Sequence, residues 1–207
     1  MHFLVLLFGK SIYKPYSFLI KIILLSKGVK VGKSFRIHGR LKLTIAGLPK
    51  NISIGNNVFF NGDIDIRNRE NGKILFEDNV YVDTDCRFIA ANNAELIFRE
   101  SCEIGLNCLI NAGASVEIGK MSMVAGYCTF QSSNHGITKG TPIKTQKHTL
   151  KKIFIGEDVW IGASAIILPG VTIESGAVIG AQSVVTKNIS SHKVAVGIPA
   201  KEVSSRI

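Results

Sequence analysis

The sequence predicts an all-β solenoid of about seven triangular coils, with a helical N-terminal segment and a protruding loop at 131–154. Three observations carry this prediction: a six-residue period, its grouping in threes, and the position of the extra residues. The period is clearest near the C-terminus, where six large aliphatic residues stand six apart at Ile155, Ile161, Ile167, Ile173, Ile179 and Val185. Helices repeat near 3.6 and strands near 2, so this pattern indicates short strands joined by corners.

The smaller residues between these anchors support the same reading. A small or branched residue follows each anchor by four positions, at Val159, Ala165, Val171, Ala177, Ser183 and Ile189. Glycine directly follows several anchors, and near a corner it would tolerate backbone angles that other residues resist. Three six-residue sides close a coil of 18 residues, and stacked coils bury the anchors in columns.

Earlier in the chain the anchors occur in triples with an internal step of six. The triples are Val31, Ile37 and Leu43; Ile54, Phe60 and Ile66; Phe76, Val82 and Phe88; Phe98, Ile104 and Ile110; and Ile118, Val124 and Phe130. The steps between successive triples are 11, 10, 10, 8, 25 and 6. All extra residues therefore fall after the third side, and the longest insertion, 131–154, projects from that corner. Long loops on rigid scaffolds commonly carry function.

The N-terminal region is basic, since residues 1–50 contain ten Lys or Arg and no Asp or Glu. Residues 2–28 read as helical, with an apolar face at Phe18, Leu19, Ile22, Ile23 and Leu25 and a stop at Gly28. Pro15 and the lysines break this run short of a membrane-spanning length. We divide the chain into this segment (1–30) and a repeat domain (31–203). The segment either caps the solenoid or also contacts an anionic membrane as a peripheral surface helix.

The charge and the cysteines narrow the choice of partners and compartment. Basic surfaces can bind nucleic acid, but no aromatic–basic interleaving or reader motif is present, so an anionic membrane or an acidic polysaccharide fits better. The four cysteines each stand four after an anchor, where small core residues are expected: Cys86, Cys102, Cys108 and Cys128. They form no metal-binding spacing, and no metal is predicted. Reduced core cysteines and the lack of a recognisable signal peptide favour the cytoplasm.

His135 combines a rigid position, five residues after an anchor, with a place at the root of the long loop. A zinc-dependent carbonic anhydrase would need three histidines, and His135 and His148 supply only two. A purely structural solenoid is the other alternative from a different class.

Three stretches together carry a family resemblance: SSNHGI (132–137), IFIGEDVWIGASAIILPGVTIESGAVIGAQSVVTKNI (153–189) and VAVGIPAKEV (194–203). They resemble the trimeric left-handed β-helix, or hexapeptide-repeat, acetyltransferases, especially the maltose/galactoside and polysaccharide O-acetyltransferases. The resemblance implies left-handed coiling, a homotrimer with clefts between subunits, and acetyl-CoA as co-substrate. The acceptor would be a sugar hydroxyl of a cell-surface polysaccharide or its precursor, and the basic N-terminal region favours an acidic or lipid-linked one. Antibiotic O-acetylation and amino-sugar N-acetylation are alternatives.

The resemblance also implies roles for individual residues. His135 would be the general base that deprotonates the hydroxyl, and the adjacent Asn134 is a candidate for substrate binding. Trp160 would lie beside the cleft and the pantetheine arm, although it could instead be a corner residue packing between subunits. The remaining candidates for CoA contact are Ala163, Ala181, Thr186, Lys187 and Lys201. The two lysines suit the phosphates of CoA.

Overall fold

The protein is a left-handed parallel β-helix whose seven coils each place one short strand on each of three faces. The computed structural model describes residues 9–207. Face A contains β1 (Lys30–Val31), β4 (Ile52–Ile54), β7 (Lys73–Phe76), β10 (Glu95–Phe98), β13 (Val116–Ile118), β18 (Ile153–Ile155) and β21 (Thr172–Ile173). Face B contains β2 (Arg36–Ile37), β5 (Phe59–Asn61), β8 (Tyr81–Asp83), β11 (Glu103–Ile104), β14 (Met123–Val124), β19 (Trp160–Ile161) and β22 (Val178–Ile179). Face C contains β3 (Leu41–Ile45), β6 (Ile64–Asn68), β9 (Cys86–Ala90), β12 (Leu109–Ala112), β15 (Thr129–Gln131), β20 (Ile166–Ile167) and β23 (Val184–Val185).

The anchor columns predicted from the sequence are the core of this solenoid. Each anchor pairs in parallel register with the anchor one coil away, as Ile37 does with Phe60 and Leu43 with Ile66. The anchors from Ile54 onward are buried, whereas Val31 and Leu43 in the first coil are partly exposed. A terminal coil has a neighbouring coil on only one side, which explains that difference. The predicted fold class is confirmed.

The glycines that directly follow an anchor serve a different purpose from the one predicted. The residue with left-handed backbone angles instead stands three after the anchor: it is glycine at Gly170 (φ +90°) and Gly176 (φ +74°), but not at Asp158 (φ +54°) or Gln182 (φ +58°). Gly162, which directly follows its anchor, would instead place a Cβ 2.5 Å from the Ala181 nitrogen of the next coil. These glycines therefore permit close stacking of coils rather than unusual backbone angles.

The extra residues after the third side partly extend the strands of face C. β3, β6 and β9 each have five residues, compared with two for β20 and β23. The rest form the third corner, between face C and the next coil's face A, which includes a short 3₁₀ turn at Pro49–Asn51. The longest insertion, 131–154, leaves the solenoid at this corner after β15. The corner from face A to B is the first corner, and that from B to C is the second.

The N-terminal helix α1 (Tyr13–Ser26) follows a 3₁₀ turn at Gly9–Ile12 and packs against β1 and β2. Part of the predicted helical segment, residues 2–8, lies outside the described residues. Pro15 does not break the helix, because it lies in the first turn, where its missing N–H has no intrahelical partner. Gly28, with φ +87°, follows the end of the helix as predicted. Within residues 9–207, no helix has the length and apolar character needed to cross a bilayer.

The buried core also contains the cysteines and a group of stacked aromatic rings. All four cysteines are buried free thiols, as their spacing predicted. Burial raises the pKa of the Cys102 thiol to about 12. Phe76 stacks on Phe98 with centroids 4.6 Å apart and meets Phe60 and Phe88 edge-on.

The C-terminal end of face B is closed by an antiparallel hairpin of β24 (Lys193–Gly197) and β25 (Ala200–Ser205). β24 pairs in parallel with β22 and so continues the face, while β25 forms its final edge.

Candidate functional site

The long loop (131–154) begins and ends in a two-stranded antiparallel stalk. β16 (Ser133–Asn134) pairs with β17 (Thr149–Leu150), and the next pair along the stalk would bring His135 opposite His148. The two imidazole rings indeed pack together, with centroids 4.2 Å apart and planes tilted by 45°. Sequence reasoning gave His148 no place in the site. The sequence did contain a signal for this pairing, because His135 and His148 lie at similar distances from the two ends of the loop.

The base of the stalk is fixed to the solenoid by Ser132, which is buried. Its hydroxyl accepts a hydrogen bond from the Ala114 amide at 3.0 Å and lies within hydrogen-bonding distance of the Asn111 and Ala114 carbonyls. Gly113 leaves space for the stalk, because a Cβ there would lie 3.1 Å from Ser133 Cβ. The position of His135 is therefore set by the rigid third corner.

The distal part of the loop is closed by Gln146. Its side chain accepts a hydrogen bond from the Thr138 amide at 2.8 Å and donates to the Thr138 and Thr141 carbonyls. Gly136 donates its backbone N–H to the Lys147 carbonyl at 3.1 Å, directly beside the histidine pair. A Cβ at Gly136 would come within 2.8 Å of Gln146 Cβ, so the chain closes tightly there.

His135 opens into a cleft of about 370 Å³ between the stalk and the next coil. Its lining residues are Asn134, His135, Ile137, Thr149, Lys151 and Pro169. Although Asn134 and His135 are adjacent in sequence, both contribute to this cleft, as a shared site requires. The cleft is exposed and large enough to admit a small ligand or the end of a larger one.

The long loop is strongly basic, a feature that sequence reasoning missed because it considered only the balance over residues 51–207. The loop contains five lysines and no acidic residue. The lysines are Lys139, Lys144, Lys147, Lys151 and Lys152, and all five side chains are exposed. Every ion pair found within residues 9–207 involves other cations. The surroundings of His135 are therefore suited to anionic ligands.

The other predicted residues occupy three separate places on one chain. Thr186 and Lys187 lie at the third corner, one coil beyond Pro169 of the His135 cleft. Ala163 and Ala181 lie at the second corner in consecutive coils, where the Gln182 amide donates to the Ala163 carbonyl at 2.8 Å. A single chain therefore brings Thr186 and Lys187 toward the side of His135 and leaves the two alanines elsewhere.

Trp160 and Lys201 both lie on face B. Trp160 is a strand residue of β19 rather than a corner residue, is 52% exposed, and lines a shallow groove with Tyr81 and Met123. Lys201 lies in β25, opposite Val196. Neither residue contributes to the His135 cleft of its own chain.

A larger cleft, about 740 Å³, lies at the second corner and face C of the early coils. Its arginines pair with aspartates of the same cleft, as Arg40 does with Asp63 and Arg87 with Asp65. None of its lining residues is a histidine. We therefore place the candidate site at His135 despite the smaller volume.

Residues 9–207 contain no cluster of three or more His, Cys, Asp or Glu side chains that could hold a metal ion. The pair formed by His135 and His148 has no third ligand among these residues.

Comparison with known proteins identifies the repeat. Residues 152–187 match the model of the bacterial transferase hexapeptide family (six repeats). The putative lipopolysaccharide biosynthesis O-acetyl transferase WbbJ of Escherichia coli is 30% identical over 64% of this chain and 72% of its own length. The dTDP-4-amino-4,6-dideoxy-D-glucose acyltransferase of Escherichia coli is 31% identical over 74% of this chain and 82% of its own length. A probable acetyltransferase of Mycobacterium tuberculosis is 35% identical over 59% of this chain, which spans only 41% of that relative.

Solved structures show the same architecture. The Bacillus cereus N-acyltransferase AntD, in complex with dTDP and 3-hydroxybutyryl-CoA, superposes with a TM-score of 0.62 at 19% identity, covering 90% of this chain and 88% of AntD. The polySia-specific acetyltransferase NeuO superposes with a TM-score of 0.50 at 27% identity, covering 86% of each chain. The AntD likeness concerns the fold alone.

Proposed function

Because this chain belongs to the hexapeptide-repeat acyltransferase family, we propose that it transfers an acetyl group from acetyl-CoA to a hydroxyl of a cell-surface saccharide or its precursor. The observation that carries the proposal is the position of His135, held by a rigid stalk at the edge of an open cleft. The relative WbbJ, named for O-acetyl transfer in lipopolysaccharide biosynthesis, supports a hydroxyl acceptor.

The chemistry assigned to His135 is general base catalysis. The neutral imidazole accepts the proton of the sugar hydroxyl while the hydroxyl oxygen attacks the thioester carbonyl carbon. The carbon–sulfur bond then breaks, and the imidazolium returns the proton to the leaving thiolate. The products are an acetyl ester and free CoA, and no acyl-enzyme forms. The protein also gains rate by holding both substrates in one cleft.

We propose that the complete site forms between subunits of a homotrimer. Lys187 and Thr186 share the third corner with the His135 cleft, whereas Ala163, Ala181 and Trp160 lie on other parts of the chain. A neighbouring subunit that presents its second corner to the long loop would bring the two groups together. CoA would then lie along this groove, with Lys187 and Lys201 available to its phosphates.

The acceptor that fits the loop is an anionic glycan. The long loop exposes five lysines. Of these, Lys147 is adjacent to the histidine pair, and Lys151 lines the cleft. The structural likeness to a polySia-specific acetyltransferase supports the same acceptor class. A lipid-linked precursor is compatible with the basic N-terminal region. The buried, reduced cysteines support a cytoplasmic reaction.

N-acylation of an amino sugar is the second candidate, favoured by the match to the dTDP-amino-sugar acyltransferase over 82% of its length. An amine acceptor would use the same base and the same CoA site. A segment of 52 residues matches a chloramphenicol acetyltransferase, but it covers only 25% of that protein and does not favour an antibiotic acceptor.

The acceptor class can be tested by acetyl-CoA turnover with mass spectrometry of the product. The panel should contain an acidic oligosaccharide, its carboxyl-esterified form, a neutral oligosaccharide and a nucleotide-linked amino sugar. We expect an O-acetyl ester on the acidic glycan and weaker turnover on the esterified control. An N-acetyl product only would favour the second candidate, and no turnover on any sugar would contradict the proposal.

The shared site can be tested by complementation. His135→Ala removes the base, and Ala181→Trp fills the second corner, so each variant alone should be inactive. Coexpressed chains would form mixed trimers in which His135 of one subunit meets Ala181 of its neighbour. We expect activity to return in the mixture. A site contained within one chain would give no recovery.

A further inference from the structure

Helix α1 is attached to the solenoid by the buried side chains of Tyr13 and Leu24 and by side-chain hydrogen bonds to the first coil. The Ser17 hydroxyl donates to the Ile37 carbonyl at 3.1 Å and accepts from the Ile37 amide at 2.9 Å. Tyr16 donates to the Gly39 carbonyl at 2.9 Å, and Lys21 donates to the Gly32 carbonyl. These bonds satisfy backbone groups at the open end of the first coil, which explains how the helix is held.

A second apolar side of α1 faces solvent rather than the solenoid. Sequence reasoning identified this side correctly, and the structure leaves it uncovered. Its members and their exposed fractions are Phe18 (65%), Leu19 (54%), Ile22 (47%), Ile23 (40%) and Leu25 (47%). At these spacings the five side chains form one continuous apolar stripe along the helix. Soluble proteins seldom expose such a stripe without a partner for it.

The charged side chains of α1 and of the first coil, within the described residues, are basic. Lys14 and Lys27 are exposed on the same helix and its C-cap, and Lys30 and Lys33 are exposed in the first coil. The first acidic residue along the whole chain is Asp63. At the C-terminal end of α1, Pro49 packs beside Gly28, and its neighbours Leu48 and Lys50 are exposed. One apolar surface with cationic edges results.

We infer that the apolar stripe of α1 docks in the headgroup region of an anionic lipid bilayer, with the helix parallel to the membrane plane. Apolar side chains enter the interface while lysines at the edges meet lipid phosphates, as in other interfacial helices. A protein partner would need an apolar groove bordered by acidic residues. An anionic lipid bilayer presents apolar chains and negatively charged headgroups over its whole surface. With 14 residues, α1 suits a position in the interface rather than across the bilayer. The inference is independent of the proposed acetyl transfer.

The experiment is vesicle flotation of the full-length protein with neutral phosphatidylcholine vesicles and with vesicles containing phosphatidylglycerol. Phe18→Ser/Ile22→Ser removes two exposed side chains of the stripe, and Met121→Ser, 64% exposed on a distant coil, is the matched control. We expect the wild-type protein to float with anionic vesicles. The double variant should lose at least about tenfold in partitioning, and the control should not. Circular dichroism checks that each variant is folded.

A second pair of variants tests the charge. Lys14→Gln/Lys27→Gln should reduce binding to anionic vesicles about tenfold and leave neutral vesicles unaffected. Wild-type protein that does not float with anionic vesicles, or a double apolar variant that floats equally well, would overturn the inference. Light scattering tests whether the apolar stripe instead binds a second copy of this chain. If the wild-type protein self-associates, does not bind vesicles, and becomes monomeric in Phe18→Ser/Ile22→Ser, the stripe is a protein–protein contact and the inference is overturned.

Discussion

The imidazole rings of His135 and His148 pack with their centroids 4.2 Å apart, one ring from each of the two chain segments that form the stalk of the long loop. One of these residues is the candidate base, and the other is its nearest aromatic neighbour. Since the stalk is anchored to a rigid corner through Ser132, the pair lies at a defined position beside the cleft. His148 thus limits the orientations that the His135 ring can adopt.

We predict that His148→Ala lowers kcat roughly tenfold with little change in KM, because a misdirected base slows the chemical step without weakening substrate binding. His148→Phe keeps an aromatic ring against His135 and should restore most of the rate. Steady-state kinetics on the two variants would check this. A loss in both variants accompanied by a higher KM would mean that His148 contacts substrate instead.

The charged cluster on face C predicts a pH-dependent contribution to stability. A hydrogen bond from Arg67 is the main cause that holds the pKa of Asp65 below its ordinary value of 3.8, and Arg87 adds to the effect. A carboxylate with a depressed pKa in the folded state stabilises the protein above the unfolded pKa, and loses this effect as the pH falls through the folded value. Asp65→Asn should therefore lower the melting temperature at pH 7.

The difference in melting temperature between wild-type protein and Asp65→Asn should shrink as the pH falls below about 3.8. Thermal melts between pH 2 and pH 7 measure it. Asp85→Asn, at an exposed position of the second corner, is the control and should have little effect at any pH. A deficit for Asp65→Asn that stays constant across the range would contradict this explanation.

The aromatic stack gives a prediction about the core. Phe76 is fully buried and contacts three other phenylalanines, so Phe76→Ala leaves a cavity that the stiff coils cannot readily fill. We expect a loss of about 3–5 kcal/mol in the free energy of unfolding. Phe154→Ala, on the outside of face A and 44% exposed, should cost much less. Denaturant titration would compare them, and equal losses would contradict the packing argument.

The anchor columns were predictable because a six-residue period can satisfy only one kind of regular structure. Ile37, Phe60 and Val82 stack in register as their spacing required, and the cysteines placed four residues after an anchor are buried. The stacking role of Gly162 was not predictable from one coil, since it depends on the backbone of the next coil.

The site was only partly predictable for a related reason. The position of His135 after an anchor placed it at a corner, and in the structure His135 lines a cleft beside the third corner. The contact between His148 and His135 could not be predicted, because residues in a loop follow no sequence period. It becomes visible only from the strand pairing of Ser133 with Leu150 in the stalk. Which side of α1 would face the solenoid could not be decided from the sequence, because the helix is held both by hydrogen bonds from Ser17 and by burial of Leu24.

The most direct test of the proposed function is the rate of CoA release from acetyl-CoA by His135→Ala with an acidic glycan acceptor. We predict turnover lowered by about 10² to 10⁴ with an unchanged fold. His192→Asn, a substitution that the left-handed backbone at φ +58° tolerates, should retain the wild-type rate. Acetylation by His135→Ala at the wild-type rate would contradict the account.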